Sequence, residues 1–182
     1  MSPLRRLVAQ AAARPPTLGD TRLICVDGPA GSGKSVLAQA VAQALDGAPV
    51  VHMDDLYPGW DGLADVGGVV LALLRPLAER RPGRYRRYDW TAGEYAEGHV
   101  VAPGPWLVLE GVGAGGSARA RWTTLLVWVE APAELRLERG IRRDGEELRE
   151  HWLRWMADEK THFDRDSTRE RADVHVDGTA PY

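Results

Sequence analysis

Residues 28–35 read Gly-Pro-Ala-Gly-Ser-Gly-Lys-Ser and fit the pattern G-x-x-x-x-G-K-[ST]. They follow an apolar run at 21–26 and open a stretch, 34–45, in which Val36, Leu37, Ala40, Val41, Ala44 and Leu45 recur at helical spacing. A shuffled chain of this composition would give roughly 0.002 such matches. Strand, glycine turn and helix in that order constrain the chain to an α/β sheet whose first helix starts on the loop. The glycines let successive backbone N–H groups turn inward at φ values that side chains oppose, and the helix N-terminus adds partial positive charge. Such a nest binds a phosphate chain. Its nucleotide-binding residues are Gly28, Ala30, Gly31, Ser32, Gly33, Lys34, Ser35 and Val36, with Lys34 reaching the β- and γ-phosphates of ATP and the Ser35 hydroxyl holding Mg2+.

Composition narrows the class. At 182 residues the chain is expected to be one domain. A net charge of −3 lacks the basic footprint of a nucleic-acid binder. The longest apolar run, 66–74, contains two glycines and is far short of the roughly 20 residues needed to span a bilayer, so no membrane is expected as a partner. Residues 1–14 lack the apolar core of a secretory signal, and a cytoplasmic protein is expected. The one cysteine, Cys25, lies in an apolar stretch and reads as a buried thiol. Asparagine is absent, which removes N-glycosylation and the Asn by which a protein kinase holds magnesium. Lys34 and Lys160 are the only lysines, which singles out a lysine that falls at a chemically demanding position.

Further strands are expected at 49–53, 105–109, 124–129 and 172–176, and helices at 65–80, from Pro132 to about 143, and around Leu148, Trp152 and Trp155. Segments 84–90 and 97–102 can pair as a hairpin. The carboxyl ends of parallel strands face the ligand crevice, so Asp54 and Asp55 after the second strand and Glu110 after the third point toward the γ-phosphate. One aspartate is suited to accept the proton of an attacking hydroxyl, and Glu110 to reach Mg2+ through water. Arg136, Arg139 and Arg143 fall at i, i+3 and i+7, with Arg142 beside them, as expected of a lid whose guanidinium groups steady charge developing in phosphoryl transfer.

With these positions in place the chain resembles the uridine kinase-like branch of the P-loop kinases, from about Arg22 to its end. Asp54-Asp55-Leu56-Tyr57 is similar to the family's Asp-Ser-Phe-Tyr segment, which implies Asp54 as general base and Tyr57 at the nucleoside. Tyr88-Asp89-Trp90 resembles Tyr-Asp-Phe on the acceptor hairpin, and Leu109-Glu110-Gly111 the Glu-Gly after the third strand. Residues 134–144 resemble the lid entry, and Ala172-Asp173-Val174 the final strand. The resemblance implies a three-layer fold: a five-stranded parallel sheet, helices on both faces and a short Arg-rich lid. Its parts are a glycine loop at 28–35, an acceptor-side insertion at about 57–104 and a lid at about 136–150. It implies catalytic roles for Lys34, Asp54, Arg136, Arg139 and Arg143, nucleotide contact for Arg139, and acceptor contacts from Asp54, Tyr57, Tyr88, Asp89, Trp90 and Glu110. Ser35 and Glu110 are the implied metal residues. One departure bears on the acceptor. Where the family continues Thr-His-Ser-Arg, Thr91 is followed here by Ala92, Gly93 and Glu94.

Other patterns carry less. Gly111-x-Gly113-x-x-Gly116 lacks room for the helix a dinucleotide site needs before the next strand. His52, His99, His151, His162 and His175 show no metal-ligand spacing and read as surface or core residues. The expected activity is γ-phosphoryl transfer from ATP to a small-molecule hydroxyl, with a nucleoside such as uridine or cytidine as first acceptor and the oligomeric state open. Two alternatives stand beside it: a nucleoside monophosphate kinase with Arg84, Arg86 and Arg87 as phosphate clamp, and an ATP-binding regulatory module.

Overall fold

Strand β1 (Arg22–Asp27) alternates its side chains between two cores. Ile24 and Val26 join Leu7, Leu37, Val41, Val108 and Val127 on one side, while Leu23 and Cys25 join Leu73, Leu77, Leu109 and Trp155 on the other. That alternation sets the layers. The computed structural model, which describes residues 2–180, places β1 at the centre of a parallel sheet. Its companions are β2 (Val50–His52), β5 (Trp106–Glu110), β6 (Thr123–Glu130) and β7 (Val174–Asp177), in the order β2-β5-β1-β6-β7. Register carries Val26 and His52 opposite Glu110, so the carboxyl ends of three strands meet at one edge. Helices α1 (Pro3–Ala12) and α2 (Lys34–Ala44) supply the first core, and α3 (Val66–Ala78) and α5 (Arg149–Asp166) the second. The chain is therefore α/β, with a five-stranded parallel sheet flanked by helices.

The insertion supplies a separate antiparallel hairpin, β3 (Gly83–Asp89) with β4 (Glu94–Val101), paired from Gly83↔Val101 to Asp89↔Glu94. After β6 come α4 (Ala133–Asp144), a 3₁₀ turn at Glu146–Leu148, α5, and the short α6 (Thr168–Arg171). Expected boundaries shift for local reasons. The second strand stops at His52 because Met53–Asp55 form a 3₁₀ turn, and the last starts at Val174 because the Asp173 carboxylate accepts the Leu126 N–H at 2.9 Å. Helix α1 was not expected from the sequence. The Ser2 hydroxyl caps it by accepting the Arg5 N–H at 3.3 Å, and Leu7 and Ala11 are its buried positions. Among the described residues no helix is long and apolar enough to cross a membrane.

Gly140 lets α4 and α5 approach closely, because a Cβ there would sit 2.4 Å from the Trp152 ring. The Trp152 indole N–H donates to the Asp144 carboxylate at 2.9 Å and leaves the ring little freedom to retreat. Gly140→Ala is therefore expected to destabilise the fold by about 1–3 kcal/mol through overpacking, despite alanine's better helix propensity. Chemical denaturation of the two proteins measures it; an unchanged midpoint would show that the helices part at no cost.

Candidate active site

The glycine loop takes the strained shape its sequence permits. Gly28, Gly31 and Gly33 have φ of 136°, 78° and 101°. At Gly28 a Cβ would lie 2.0 Å from the Val129 carbonyl oxygen, and at Gly31 2.6 Å from that of Arg136, so the backbone has no room for side chains. The amides of Gly31, Gly33, Lys34, Ser35 and Val36 find no protein acceptor among the described residues, and the loop from Gly31 with the start of α2 lines a cleft of about 1340 Å³. These inward donors are what a phosphate chain requires. Lys34 is buried, and its Nζ donates to the Pro29 carbonyl at 2.8 Å.

Other members of the loop have different tasks. The Gly28 N–H donates to the Asp27 carboxylate at 2.7 Å, and the Ala30 N–H to Glu159 at 2.8 Å, so neither amide faces the cleft, although Ala30 lines it. Ser32 is fully buried with its hydroxyl unpartnered. For Gly28 and Ala30 the expectation of direct nucleotide contact through these amides is thus corrected to a role in shaping the loop, and the Ser32 N–H is likewise engaged by the Pro29 carbonyl at 3.2 Å. Asp27 explains part of that shape: its carboxylate also accepts the Gly113 and Gly115 N–H groups at 2.9 and 2.8 Å, which ties the loop after β5 to the end of β1. The glycines at 111–116 thereby serve a carboxylate of the chain itself.

At the strand ends, Glu110 is buried and its Oε1 accepts the Ser35 hydroxyl at 3.1 Å. A hydroxyl and a carboxylate converging beside unpaired amides are hard oxygen donors suited to Mg2+ held with a phosphate chain. His52 stands behind them, its Nδ1 2.5 Å from the same Glu110 oxygen. The pairing raises the imidazole pKa, chiefly through that hydrogen bond, so His52 is more than the surface or core residue expected from its spacing. Asp54 also lines the cleft. Its carboxyl is open to solvent yet ringed by protein, and its pKa is raised by desolvation first and by the negative charge of Glu110 second; Lys34, Arg143 and His52 act in the opposite direction. Asp55 lines the cleft beside it.

Away from the loop the cleft wall becomes aromatic. Trp60 lies edge-on to Trp90 at 5.5 Å and to Trp155 at 6.1 Å, and Tyr88 edge-on to Trp90 at 5.5 Å. The Trp90 indole donates to the Asp54 backbone carbonyl at 2.9 Å, which joins the hairpin to the aspartate turn. Tyr57 lines the cleft as expected, but it is 1% exposed and its hydroxyl donates to the Val112 carbonyl at 2.5 Å, so it meets the cleft from within the core with its hydroxyl already engaged. Asp89 departs from expectation, since its carboxylate accepts the Thr91 and Ala92 N–H groups at 3.0 and 2.9 Å and caps the hairpin turn outside the cleft lining. Trp60, Trp152 and Trp155 complete the wall.

The arginine row divides. Arg139 and Arg143 line the cleft. Arg139 donates to the carbonyls of Gly31 and Gly178 at 3.0 and 3.2 Å, and Arg143 pairs with Asp144 at 2.7 Å over the face of Trp152. Arg142 points outward to Glu138. Arg136 does not belong to a lid face: its guanidinium is buried against Glu159 at 2.7 Å and donates to the Ala30 carbonyl at 3.2 Å, behind the loop. One turn of helix separates Arg136 from Arg139, and packing of α4 on α5 decides which of them meets solvent.

No protein-family model and no curated protein sequence matches the chain. Solved structures do. A "Possible Uridine Kinase" from Bacillus stearothermophilus superposes with a TM-score of 0.68 at 20% identity, over 96% of this chain and 97% of that one. A "putative fructose transport system kinase" from Silicibacter sp. TM1040 gives a TM-score of 0.58 at 17% identity, over 97% of this chain and 100% of that one. Sheet order, glycine loop and these superpositions together show that the chain shares the α/β fold of these two proteins, a parallel sheet with a glycine loop after its central strand.

Proposed function

We propose that this protein transfers the γ-phosphoryl group of ATP, with Mg2+, to a hydroxyl of a small molecule that carries no phosphate of its own, a nucleoside being the first acceptor class. The observation that carries the reading is a single cleft lined by the amide nest, the Ser35 and Glu110 oxygens, Asp54 and an aromatic wall. The loop amides and Lys34 hold the triphosphate, and Ser35 and Glu110 would hold Mg2+, which would supply neutralisation of the phosphate charge. Stacked against Trp60 and Trp90, the acceptor presents its hydroxyl to Asp54. Its oxygen attacks the γ-phosphorus, its proton passes to Asp54, the bond to the bridging oxygen breaks, and ADP leaves. Arg139 and Arg143 steady the developing charge. Positioning and electrostatics carry most of the rate.

Charge placement favours an acceptor without a phosphate. Arg84 and Arg86 are exposed on the hairpin, and Arg86 is spent on the carbonyls of Tyr95 and Ala96. Arg87 lines the cleft but is paired with Glu97 and Asp89. A monophosphate clamp needs guanidinium groups free to fork onto it. A regulatory module, for its part, has no use for a carboxylate of raised pKa beside the γ-phosphate site.

The test is ADP release from ATP and Mg2+ across nucleosides, nucleoside monophosphates, sugars and amino alcohols, with Asp54→Ala as control. A nucleoside or another phosphate-free alcohol is expected to raise turnover at least about tenfold over water, because a bound and oriented hydroxyl competes far better than solvent. Stimulation by monophosphates alone would transfer the assignment to the arginine clamp, and ATP binding without stimulation by any member would favour the regulatory module.

A further inference from the structure

Helix α5 meets both halves of the cleft with one face. Trp152, Trp155 and Glu159 fall at i, i+3 and i+7 and are all buried. The two tryptophans line the acceptor wall. Glu159 reaches the glycine loop from behind, its Oε2 accepting the Ala30 N–H at 2.8 Å and its Oε1 the Arg136 guanidinium at 2.7 Å. A buried ion pair is a poor means of gaining stability, because desolvation consumes much of the attraction. Its placement has to be read from what it touches, and it touches the backbone of the loop.

Peptide planarity shows what those contacts do. In a trans peptide the C=O and the following N–H point in opposite directions. With the Ala30 N–H held outward by Glu159, the Pro29 carbonyl is turned inward, where it accepts Lys34 Nζ at 2.8 Å. Because Arg136 holds the Ala30 carbonyl outward, the Gly31 N–H is turned toward the cleft, where it has no protein acceptor among the described residues. Gly31 cannot retreat, since the Arg136 backbone occupies the space behind it. We infer that Glu159, paired with Arg136, is a positioning residue of the phosphate loop, setting the two peptides that aim the Gly31 amide and the Lys34 ammonium at the phosphate chain.

The inference rests on the nucleotide-binding reading of the loop, and the experiment separates the two. Mg2+-ADP affinity is measured by calorimetry for the parent and three variants, alongside thermal unfolding of each without nucleotide. Glu159→Asp keeps the charge for Arg136 but withdraws the oxygen from Ala30, and is expected to weaken Mg2+-ADP binding at least about fivefold with the fold intact. Glu159→Leu combined with Arg136→Met removes both charges and leaves neither buried alone, and is expected to lose about tenfold or more. Glu159→Gln offers one oxygen to two donors, so its amide nitrogen must face either the Ala30 N–H or the Arg136 guanidinium, and it is expected to weaken binding at least about threefold. A purely structural pair would change the unfolding temperature and leave affinity untouched. Folded Glu159→Asp that binds Mg2+-ADP as tightly as the parent overturns the inference, whatever the double variant does. A parent that does not bind Mg2+-ADP overturns the loop assignment itself.

Discussion

Asp54→Asn is expected to lower kcat by about 10²–10⁴-fold, the contribution of a positioned general base, while Mg2+-ATP affinity stays within about twofold. The same change is expected to raise the unfolding temperature of the nucleotide-free protein at neutral pH. Its sign follows from the direction of the pKa shift. Desolvation by the surrounding protein and the charge of Glu110 hold the Asp54 carboxyl above its unfolded value, an effect that its contact with solvent reduces, so the fold favours the protonated form. Its contribution to stability is therefore fully present below the unfolded pKa and lost as pH rises through the folded one. At neutral pH the ionised carboxylate costs stability that asparagine, nearly isosteric and uncharged, does not. Loss of activity with a gain in stability is the signature of a site held ready for chemistry. The acid limb of kcat/KM in the parent should accordingly lie above the ordinary carboxylate value of about 4 and vanish in the variant. Steady-state kinetics from pH 4 to 9 with thermal scans read both effects. A parallel collapse of Mg2+-ATP binding would instead make Asp54 a metal residue.

What the sequence made legible follows from how local each signal is. The nest, Lys34 and Ser35 lie within one loop whose conformation the glycines dictate, and Asp54 and Glu110 follow apolar strands whose ends have one place to point. Register then does the rest, since pairing of β2 and β1 with β5 brings His52 and Val26 opposite Glu110. Glu159 carries no comparable signal. It lies 129 residues from the Ala30 amide it accepts, on a helix whose polar residues look alike until packing chooses a face. Arg136 looks like a lid residue in the sequence for the same reason. Helical periodicity places it with Arg139 and Arg143, and only the approach of α5 turns it behind the loop. Asp89 shows a further limit: an aspartate beside a ligand looks in sequence like one that caps a turn, as this one does.

Lys34→Met is expected to reduce transfer on the order of 10³-fold and to weaken Mg2+-ATP at least about tenfold, because a charge placed at the β- and γ-phosphates acts on ground state and transition state together. The side chain is buried and its ammonium has one protein partner among the described residues, the Pro29 carbonyl. Methionine fills nearly the same volume without a buried charge, so the nucleotide-free variant should unfold no earlier than the parent, and lost function could not be ascribed to lost fold. Lys34→Arg separates charge from shape. A planar guanidinium is broader than an ammonium and donates in a fixed fork, so it should not recover more than a small fraction of the activity in a pocket bounded by Pro29 and the loop backbone. Nucleotide titration and ADP formation on the three proteins provide the check. Undiminished turnover in Lys34→Met would remove the glycine loop from the chemistry, and full activity in Lys34→Arg would show that the positive charge alone suffices there.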